Sequence, residues 1–346
     1  MNKIQQLIFI GPLRLGEVPR GGDTMKNQLF LKRFNEVFSK MYVVDTINWS
    51  KKPWALLKMF LYLTFIRNAK VVVSCEVSSA KILDFLYYCR LQRDVYYWVV
   101  GSGFPRRIKD RSLNATHYKY LKKIIVQSPE MVRDLEEAGL KNAIFVPNSK
   151  PIFDIDISSF SNDKVRFVFL SRILQTKGVD YIIRCAQRLN DIGFANRFSI
   201  DFYGIYDEYP EFINNIKSVH NIKYNGLLDL TQKTGYEILS KYDAMLFPTF
   251  YDGEGFPGVI IDAFISGLPV LATDWHCNKD IVEDNKTGFI IPPQDEEALY
   301  NKMKVIIDND NSLKSMRVNC QKEAWKYDNK VVLSDANLRR IGLLEK

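Results

Sequence analysis

The sequence predicts an α/β protein with two doubly wound domains, each built on a parallel sheet. Short apolar runs alternate with helical patterns along the chain, and spacers of roughly 12–30 residues separate most of them. The alternation restarts after a polar stretch at residues 154–163. The length of 346 residues and the hydrophobic content of 47% are sufficient for two buried cores.

The first half contains six predicted strands that alternate with helix-length segments. This spacing is typical of βαβ units in a parallel sheet. We predict a first domain over residues 1–150, and the turn residues between 147 and 162 form the linker that ends it. The predicted strands are Leu7–Ile10, Tyr42–Asp45, Val71–Ser74, Val95–Val100, Ile124–Gln127 and Ile144–Val146.

The second half repeats the pattern and predicts a second domain over residues 160–325. Helical patterns follow its last strand, and residues 326–346 are predicted to form a final helix. The predicted strands are Val165–Leu170, Phe198–Tyr203, Ile222–Tyr224, Ala244–Phe247, Val270–Ala272 and Phe289–Ile291.

The charge is distributed unevenly between the two halves. Residues 1–150 contain 25 Lys and Arg against 12 Asp and Glu, a net charge of +13, whereas residues 151–346 contain 23 against 28, a net charge of −5. A basic surface attracts the phosphates of nucleic acid, anionic lipid or a lipid-linked pyrophosphate, and charge alone does not choose among them. Because no nucleic-acid motif accompanies the charge, we expect no nucleic-acid partner.

The cysteines and the apolar runs indicate the compartment. The five cysteines stand singly, without the paired spacing of a disulfide framework or a zinc site. The run Leu7–Ile10 is too short for the core of a signal peptide, and no run is long enough to span a membrane. We therefore expect a cytoplasmic protein with reduced thiols and no bound metal.

One helical run, Trp54–Ile66, is apolar except at Lys58 and Thr64. Basic residues lie at both of its ends, as in helices that lie in the membrane interface. The run equally fits a buried helix of the first domain. Both interpretations stay open.

Two glycines lie between the first strand and the first helical run. Gly21 and Gly22 precede Met25–Phe38, and glycine lets the backbone approach a ligand closely. The N-terminus of the helix that follows favours anions. The glycines therefore fit either an anion-binding loop or a plain turn.

The segment Pro248–Ile291 combines turn residues, carboxylates and strand signals. Glu254 lies in a glycine-containing loop, and Asp262 lies eight positions later in an apolar helical run. The glycine and proline after Glu254 delay the start of the helix, so we expect Glu254 at its mouth. Two separated carboxylates suit the vicinal hydroxyls of a sugar or a ribose, because each ionised oxygen accepts charge-assisted hydrogen bonds.

This segment resembles the donor-binding signature of the retaining glycosyltransferases of family 4. In that signature seven residues separate two acidic ones, which are matched here by Glu254 and Asp262. Asp262 stands where the family usually has Glu, so its reach is one methylene shorter. Further matching stretches are Ser171–Asp180, Gly267–Val270, Thr273-Asp274 and Asn285–Phe289.

The resemblance covers nearly the whole chain, and it is strongest from Ser171 to Ile291. A departure lies at Val100-Gly101, where many family members have His-Gly. The nearest later histidine is His117, which is expected as a surface or cap residue, with a place beside the ligand as the alternative.

The resemblance implies the GT-B fold, in which two Rossmann-like domains face each other across a cleft. The first domain takes the acceptor and the second binds a nucleotide-sugar donor. The final helix packs back on the first domain, and Trp325 is a candidate anchor for that contact.

The resemblance also implies roles for individual residues. Glu254 binds hydroxyls of the donor sugar, and Asp262 binds the ribose. Arg172 and Lys177 contact the diphosphate, where fixed cations stabilise the departing nucleoside diphosphate without a metal. Further contacts, mainly through the backbone, are expected at Gly255, Phe256, Gly21, Gly22 and Gly204.

We therefore predict a retaining glycosyltransferase that moves a sugar from a UDP- or GDP-sugar to a glycan or a polyprenyl-linked saccharide, without a cofactor, in surface polysaccharide biosynthesis. The basic first domain allows peripheral association with the inner face of the plasma membrane. A nucleotide-sugar epimerase of the same fold and a non-catalytic partner protein are the alternatives. An epimerase needs proton-transferring groups beside the sugar. The chain has only three histidines, which disfavours this alternative.

Overall fold

A computed structural model gives the fold of residues 5–16, 22–49, 52–77, 81–89, 94–157, 164–308 and 311–345. The chain divides into two compact units. Unit 1 comprises residues 1–149 and 329–346, and unit 2 comprises residues 150–328. The sequence predicted that the first domain ends at residue 150, that the second spans residues 160–325 and that the final helix begins at residue 326.

Unit 1 is built on a parallel sheet of six strands. The strands are β1 Gln6–Gly11, β2 Lys40–Asp45, β3 Ala69–Cys75, β4 Val95–Val99, β5 Lys123–Val126 and β6 Ala143–Phe145. Their order in the sheet is β2-β1-β3-β4-β5-β6. Leu7 and Phe9 enter the core on one face and Ile8 and Ile10 the core on the other, because successive side chains of a strand point to opposite faces. Both faces are covered, which explains why the strands are continuous apolar runs.

Helices from both ends of the chain cover this sheet. The helices of unit 1 are α1 Gly22–Val37, α2 Pro53–Phe65, α3 Lys81–Tyr88, α4 Gly103–Lys109, α5 Pro129–Glu137, α13 Asn329–Val332 and α14 Asp335–Arg340. Leu333 and Leu338 are fully buried in the same core as Leu7 and Phe9. The Lys70 ammonium donates to the carbonyl of Gly342 at 2.9 Å. Residues 329–345 thus form part of the core of unit 1.

Trp325 is not an anchor of this contact. It belongs to unit 2, and 58% of it is exposed. The expectation was wrong because an aromatic side chain indicates burial only as a tendency, and leucines of α14 and the residues around it fill the core instead.

Unit 2 is built on a second parallel sheet of six strands. The strands are β7 Val165–Leu170, β8 Phe198–Tyr203, β9 Ile222–Tyr224, β10 Ala244–Phe247, β11 Val270–Thr273 and β12 Gly288–Ile291. Their order is β12-β11-β10-β7-β8-β9. The chain therefore builds the sheet outward from β7 in one direction, returns to β10 beside β7, and continues in the other direction.

The helices of unit 2 cover both faces of this sheet. They are α6 Val179–Asp191, α7 Phe212–Ile216, α8 Lys233–Leu239, α9 Gly258–Ile265, α10 Asn278–Ile281, α11 Glu296–Asp308 and α12 Asn311–Ala324. Phe167 and Phe169 lie in one core, and Val168 and Leu170 lie in the other. The α/β prediction with two parallel sheets is confirmed, and each of the twelve predicted strand segments overlaps an observed strand.

The structure also shows the state of the cysteines and the lengths of the helices. The five cysteines all lie within the described residues and form no disulfide, and only Cys89 among them is exposed. Within the described ranges of the chain, no helix combines the length and the apolar character needed to cross a membrane.

Candidate functional site

Three of the predicted donor-binding residues of unit 2 meet where the strand order reverses. β7 and β10 are neighbours in the sheet, and the chain leaves them toward opposite edges. In open parallel sheets, ligands bind in the crevice outside the carboxyl ends of the strands at such a reversal. Arg172 and Lys177 follow β7, and Glu254 follows β10. The structure thus brings together two motifs that are about 80 positions apart in the sequence.

Lys177 and Glu254 form an ion pair at this place. The Lys177 Nζ atom donates to Glu254 Oε2, and the Thr249 hydroxyl donates to the same oxygen at 3.2 Å. The two charged side chains are 5% and 12% exposed, so water screens the pair only weakly. Glu254 lies in the loop before α9, as expected, and its backbone N–H donates to the Tyr251 carbonyl at 3.0 Å.

Two aromatic rings line the lysine. The Lys177 Nζ atom lies 4.9 Å from the centroid of the Tyr251 ring and 5.5 Å from that of Phe247. Such contacts attract a cation to the face of the ring. Burial lowers the pKa of Lys177 below its ordinary value, and the Glu254 carboxylate opposes this shift. The carboxylate and the rings together stabilise an ammonium that is otherwise poorly solvated.

Arg172 is the exposed cation of the site. Its side chain is 49% exposed and donates to Glu208 at 3.2 Å. The guanidinium carbon lies 5.3 Å from the centroid of the Tyr251 ring, so Tyr251 contacts both predicted cations. An exposed guanidinium beside a buried ammonium is suited to an anion with several oxygens, such as a diphosphate.

Two glycines hold the surrounding loops in close contact. Gly178 has a φ of +76°, and a Cβ atom there would lie 2.3 Å from the Pro248 carbonyl oxygen. Gly204 has a φ of +151°, and a Cβ atom there would lie 1.7 Å from the Ser171 carbonyl oxygen. Only glycine fits either position, because both the backbone angle and the space exclude a side chain. Gly204 therefore has a packing role next to Arg172, and its contact with a nucleotide stays a prediction.

Asp262 lies in a different environment from Glu254. It is 1% exposed, and each of its oxygens accepts a hydrogen bond at 2.9 Å, one from Lys150 Nζ and one from the Tyr236 hydroxyl. Burial raises the pKa of Tyr236, and the adjacent Asp262 carboxylate raises it further. The phenol therefore stays a hydrogen-bond donor. In this structure Asp262 belongs to a buried polar network within unit 2.

The residues that follow Glu254 are packed into the protein. The Gly255 carbonyl accepts a hydrogen bond from the Cys277 thiol at 3.0 Å. The Phe256 ring is 7% exposed and lies 5.5 Å from the ring of Tyr327. The expected backbone contacts of Gly255 and Phe256 with a ligand stay predictions.

In unit 1 the expected glycine loop is only partly within the described residues. Gly21 lies outside them, whereas Gly22 is the exposed first residue of α1. The strand order reverses between β1 and β3, and Asn27 of α1 ties their carboxyl ends together by donating to Pro12 at 3.0 Å and to Ser74 at 3.2 Å. His117 of unit 1 is partly buried and stacks on the Tyr87 ring with a centroid distance of 4.9 Å.

Four residues that contact Glu254, Lys177 or Asp262 were not predicted from the sequence. Thr249 and Tyr251 lie close to Glu254 in the sequence, and their position just after a strand was the available signal. Lys150 and Tyr236 contact Asp262 from 112 and 26 positions away, and no sequence signal pointed to them. Among the residues that the structure describes, no group of three or more His, Cys, Asp or Glu side chains is arranged to hold a metal ion.

Residues 164–309 match the family model described as "Glycosyl transferases group 1". The chain is 24% identical over 189 residues to a poly(ribitol-phosphate) alpha-N-acetylglucosaminyltransferase of Staphylococcus aureus, an alignment that covers 54% of this chain and 37% of that protein. It is 23% identical over 192 residues to the putative colanic acid biosynthesis glycosyltransferase WcaL of Escherichia coli. That alignment covers 50% of this chain and 45% of WcaL. The chain thus spans less than half the length of these relatives.

Solved structures extend the likeness to nearly the whole chain. A sucrose-phosphate synthase from Thermosynechococcus elongatus superposes with a TM-score of 0.73 at 15% identity. The superposition covers 97% of this chain and 98% of the synthase chain. HepE from Anabaena, in complex with UDP and glucose, has a TM-score of 0.67 at 13% identity, with the same coverage of 97% and 98%. At these identities the likeness shows the fold, and it confirms the GT-B assignment.

Proposed function

We propose that this chain transfers a sugar from a nucleotide-diphosphate sugar to a saccharide acceptor in polysaccharide biosynthesis, and the match of residues 164–309 to the group 1 glycosyl transferases supports this proposal. The relatives support this proposal, because one is named for poly(ribitol-phosphate) and another for colanic acid biosynthesis. HepE binds UDP and glucose, which supports a UDP-sugar as donor, with a GDP-sugar as the alternative.

The observation that carries the proposal is the meeting of Arg172 and Lys177 beside Tyr251 at the carboxyl ends of β7 and β10. Departure of a nucleoside diphosphate builds up negative charge on its terminal phosphate. Fixed cations stabilise that charge without having to reorganise as the bond breaks. Arg172 offers a half-exposed planar fork of donors, and Lys177 offers a buried ammonium.

Glu254 is the proposed contact for the hydroxyls of the donor sugar. Lys177 and Thr249 both donate to its Oε2 atom. No residue in the described part of the chain donates to Oε1, which therefore can accept from a sugar hydroxyl. The pair with Lys177 fixes the carboxylate in one orientation, and this places the sugar relative to the diphosphate.

Asp262 is the proposed contact for the ribose, and the structure adds a requirement. Its oxygens accept from Lys150 and Tyr236, and it is almost fully buried. A carboxylate oxygen can accept a second hydrogen bond, so the existing bonds can persist. The ribose can reach Asp262 only after the residues that cover it move, and we propose that donor binding drives this movement.

We propose retention of the anomeric configuration, by the resemblance to family 4, and a reaction without a metal or cofactor. Arg172 and Lys177 supply the positive charge that a metal ion supplies in other transferases. No side chain is assigned as a nucleophile. Closure of the site around the donor would exclude water, which otherwise competes with the acceptor for the sugar.

We propose that unit 1 takes the acceptor, a saccharide or a polyprenyl-linked saccharide. Residues 1–149 and 329–346 contain 28 Lys and Arg against 14 Asp and Glu, a net charge of +14. Positive charge of this size attracts the pyrophosphate of a lipid-linked acceptor and anionic membrane surfaces. We accordingly propose a cytoplasmic protein that associates peripherally with the membrane.

Calorimetric titration with UDP-, GDP-, dTDP- and CMP-linked sugars tests the donor site. We expect one nucleotide class to bind the wild type and the Arg172→Ala variant to bind it at least about tenfold more weakly, because a charge-assisted hydrogen bond contributes roughly 1.5–3 kcal/mol. The variant should keep the melting temperature of the wild type, since Arg172 is half exposed.

Arg184→Ala is the matched control. Arg184 is 47% exposed, donates to Glu296 and lies 5.0 Å from the centroid of the Tyr181 ring, so it resembles Arg172 in exposure and partners. We expect it to leave donor affinity unchanged. Binding of no donor by the folded protein, or equal losses in both variants, would contradict the proposed site. Conversion of a bound donor to its epimer in the absence of an acceptor would show that the protein is an epimerase and not a transferase.

A further inference from the structure

Helix α2 of unit 1 presents a row of large apolar side chains to solvent. Trp54 is 78% exposed and Phe65 is 73% exposed. Between them Leu57, Phe60 and Leu61 are 41–48% exposed. Patches of this kind are uncommon on soluble proteins and mark surfaces that contact a partner or a membrane.

The exposed row is a continuous face of the helix. Met59 and Leu63 are the buried residues of α2, and they lie one turn apart on the side that packs on unit 1. The exposed residues recur at helical spacing, with Trp54, Leu57 and Leu61 on the opposite side. One side of the helix is thus buried, as expected of a helix of the first domain, and the other side is apolar and open to solvent, so its contact with a membrane stays a prediction.

Basic side chains surround the apolar face. The sequence from residue 46 to residue 75 contains five Lys and Arg and no Asp or Glu. Of these, Lys52, Lys58 and Arg67 are exposed. Lys40 lies 5.1 Å from the centroid of the Tyr42 ring, which contacts Tyr62 of α2, so the neighbouring strand adds a further positive charge.

We infer that α2 docks on an anionic lipid bilayer, with its axis in the plane of the membrane and its apolar face among the acyl chains. A helix with an apolar face and a basic rim has the chemistry of the boundary between headgroups and acyl chains. Its 13 residues extend about 20 Å, less than the roughly 30 Å of a hydrocarbon core, so it lies in the interface and does not cross it. Trp54 at its end suits the headgroup level.

The basic residues around α2 favour an anionic bilayer over a second copy of this chain as the partner of its apolar face. Two copies that met through α2 would bring the same basic rims together, and no acidic residue from 46 to 75 would compensate them. An anionic membrane supplies the opposite charge over the whole face. The inference rests on the proposed membrane location of the transferase and deepens it by naming the surface.

Sedimentation with vesicles tests the inference without donor or acceptor, so its result is separate from that of the transfer reaction. Vesicles of equal parts phosphatidylglycerol and phosphatidylcholine should carry the wild type down, and vesicles of phosphatidylcholine alone should carry much less. Trp54→Ser/Phe65→Ser should weaken binding to the anionic vesicles by roughly ten- to a hundredfold, since each buried large apolar side chain contributes substantially to partitioning.

The control is Trp325→Ser/Val305→Ser, which removes two large apolar side chains that are 58% and 55% exposed on unit 2. It should bind the anionic vesicles like the wild type. Circular dichroism should show the wild-type melting temperature for both double variants, because all four residues are exposed. The inference is wrong if the wild type does not sediment with anionic vesicles, or if both double variants bind equally. It is also wrong if the α2 substitutions convert a dimer to a monomer in velocity sedimentation without affecting vesicle binding.

Discussion

At the scale of single residues, the site depends on a buried ion pair. Lys177 and Glu254 have both lost most of their contact with water, and each compensates the desolvated charge of the other. Such a pair contributes little net stability compared with an apolar pair of the same shape. Its value is that it fixes a carboxylate and an ammonium in defined positions at the ends of β7 and β10.

Removal of one partner should therefore lower the free energy of unfolding by more than the intact pair adds to it. We expect Lys177→Met to lower the free energy of unfolding by about 3 kcal/mol, because Glu254 is left as an uncompensated charge in a largely buried position. Lys177→Met/Glu254→Gln should recover part of this loss. Urea denaturation of the single and double variants measures the coupling.

The exposed pair Lys233 and Glu237 provides the control for this cycle. Its side chains are 52% and 48% exposed, so Lys233→Met should change the free energy of unfolding by less than about 0.5 kcal/mol. If the effects of Lys177→Met and Glu254→Gln simply add in the double variant, the two groups do not interact in solution as they do in the structure.

A second buried lysine makes stability depend on pH. Lys26 of α1 is 5% exposed, lies near the rings of Phe30 and Trp98, and donates to the Val99 carbonyl at 3.4 Å. Burial lowers the pKa of Lys26 from 10.5 to about 7. As the pH falls from 10.5 to about 7, the unfolded chain binds a proton at Lys26 and the folded protein does not. The folded protein therefore loses stability as the pH falls.

Lys26→Met should remove this dependence. We expect the variant to be more stable than the wild type at pH 7, on the order of a few kcal/mol, with the difference shrinking as the pH rises toward 10.5. Urea denaturation of both proteins over this range measures the difference, and the comparison cancels the other groups that titrate there. A difference that is constant with pH would show that Lys26 keeps its ordinary pKa in the folded protein.

At the scale of secondary structure elements, the last helices stabilise the unit to which the N-terminus belongs. Leu338 of α14 is fully buried beside residues of β1 and α1, and the Tyr96 hydroxyl donates to the Gly342 carbonyl at 2.6 Å. Unit 1 therefore folds around residues that are separated by most of the chain.

Leu338→Ala should lower the free energy of unfolding by roughly 2–5 kcal/mol, because it leaves a cavity in the core of unit 1. Val331→Ala, in the adjacent helix α13 at 50% exposure, should have little effect. Thermal unfolding followed by circular dichroism measures both. Equal effects of the two substitutions would contradict the packing of α14 on the sheet.

Strands were easier to predict than side-chain partners. Runs such as Val165–Leu170 are buried on both sides, so composition alone marks them, and the observed strand has the same bounds. The carboxylates were also recognisable, because Glu254 and Asp262 lie in one motif. Their environments were not, since the partners of Asp262 come from distant positions that only the fold brings together. Local sequence carries periodicity and turn chemistry, whereas it does not carry long-range contacts.

At the scale of the whole molecule, the two units share one architecture and differ in net charge. Both units have a six-stranded parallel sheet with a reversal of strand order, and unit 1 carries a net charge of +14 whereas unit 2 carries −6. The uneven charge was visible in the sequence. The assignment of residues 329–346 to the basic unit depended on the resemblance, because their sequence does not state what they pack against.

We propose that the nucleotide-sugar site lies at the carboxyl ends of β7 and β10. A crystal structure of the protein with the donor selected by calorimetry tests this placement most directly. We predict that the diphosphate lies against Arg172 and Lys177, with the sugar hydroxyls on Glu254. A donor bound elsewhere on the protein, or a diphosphate that touches neither cation, would contradict the claim.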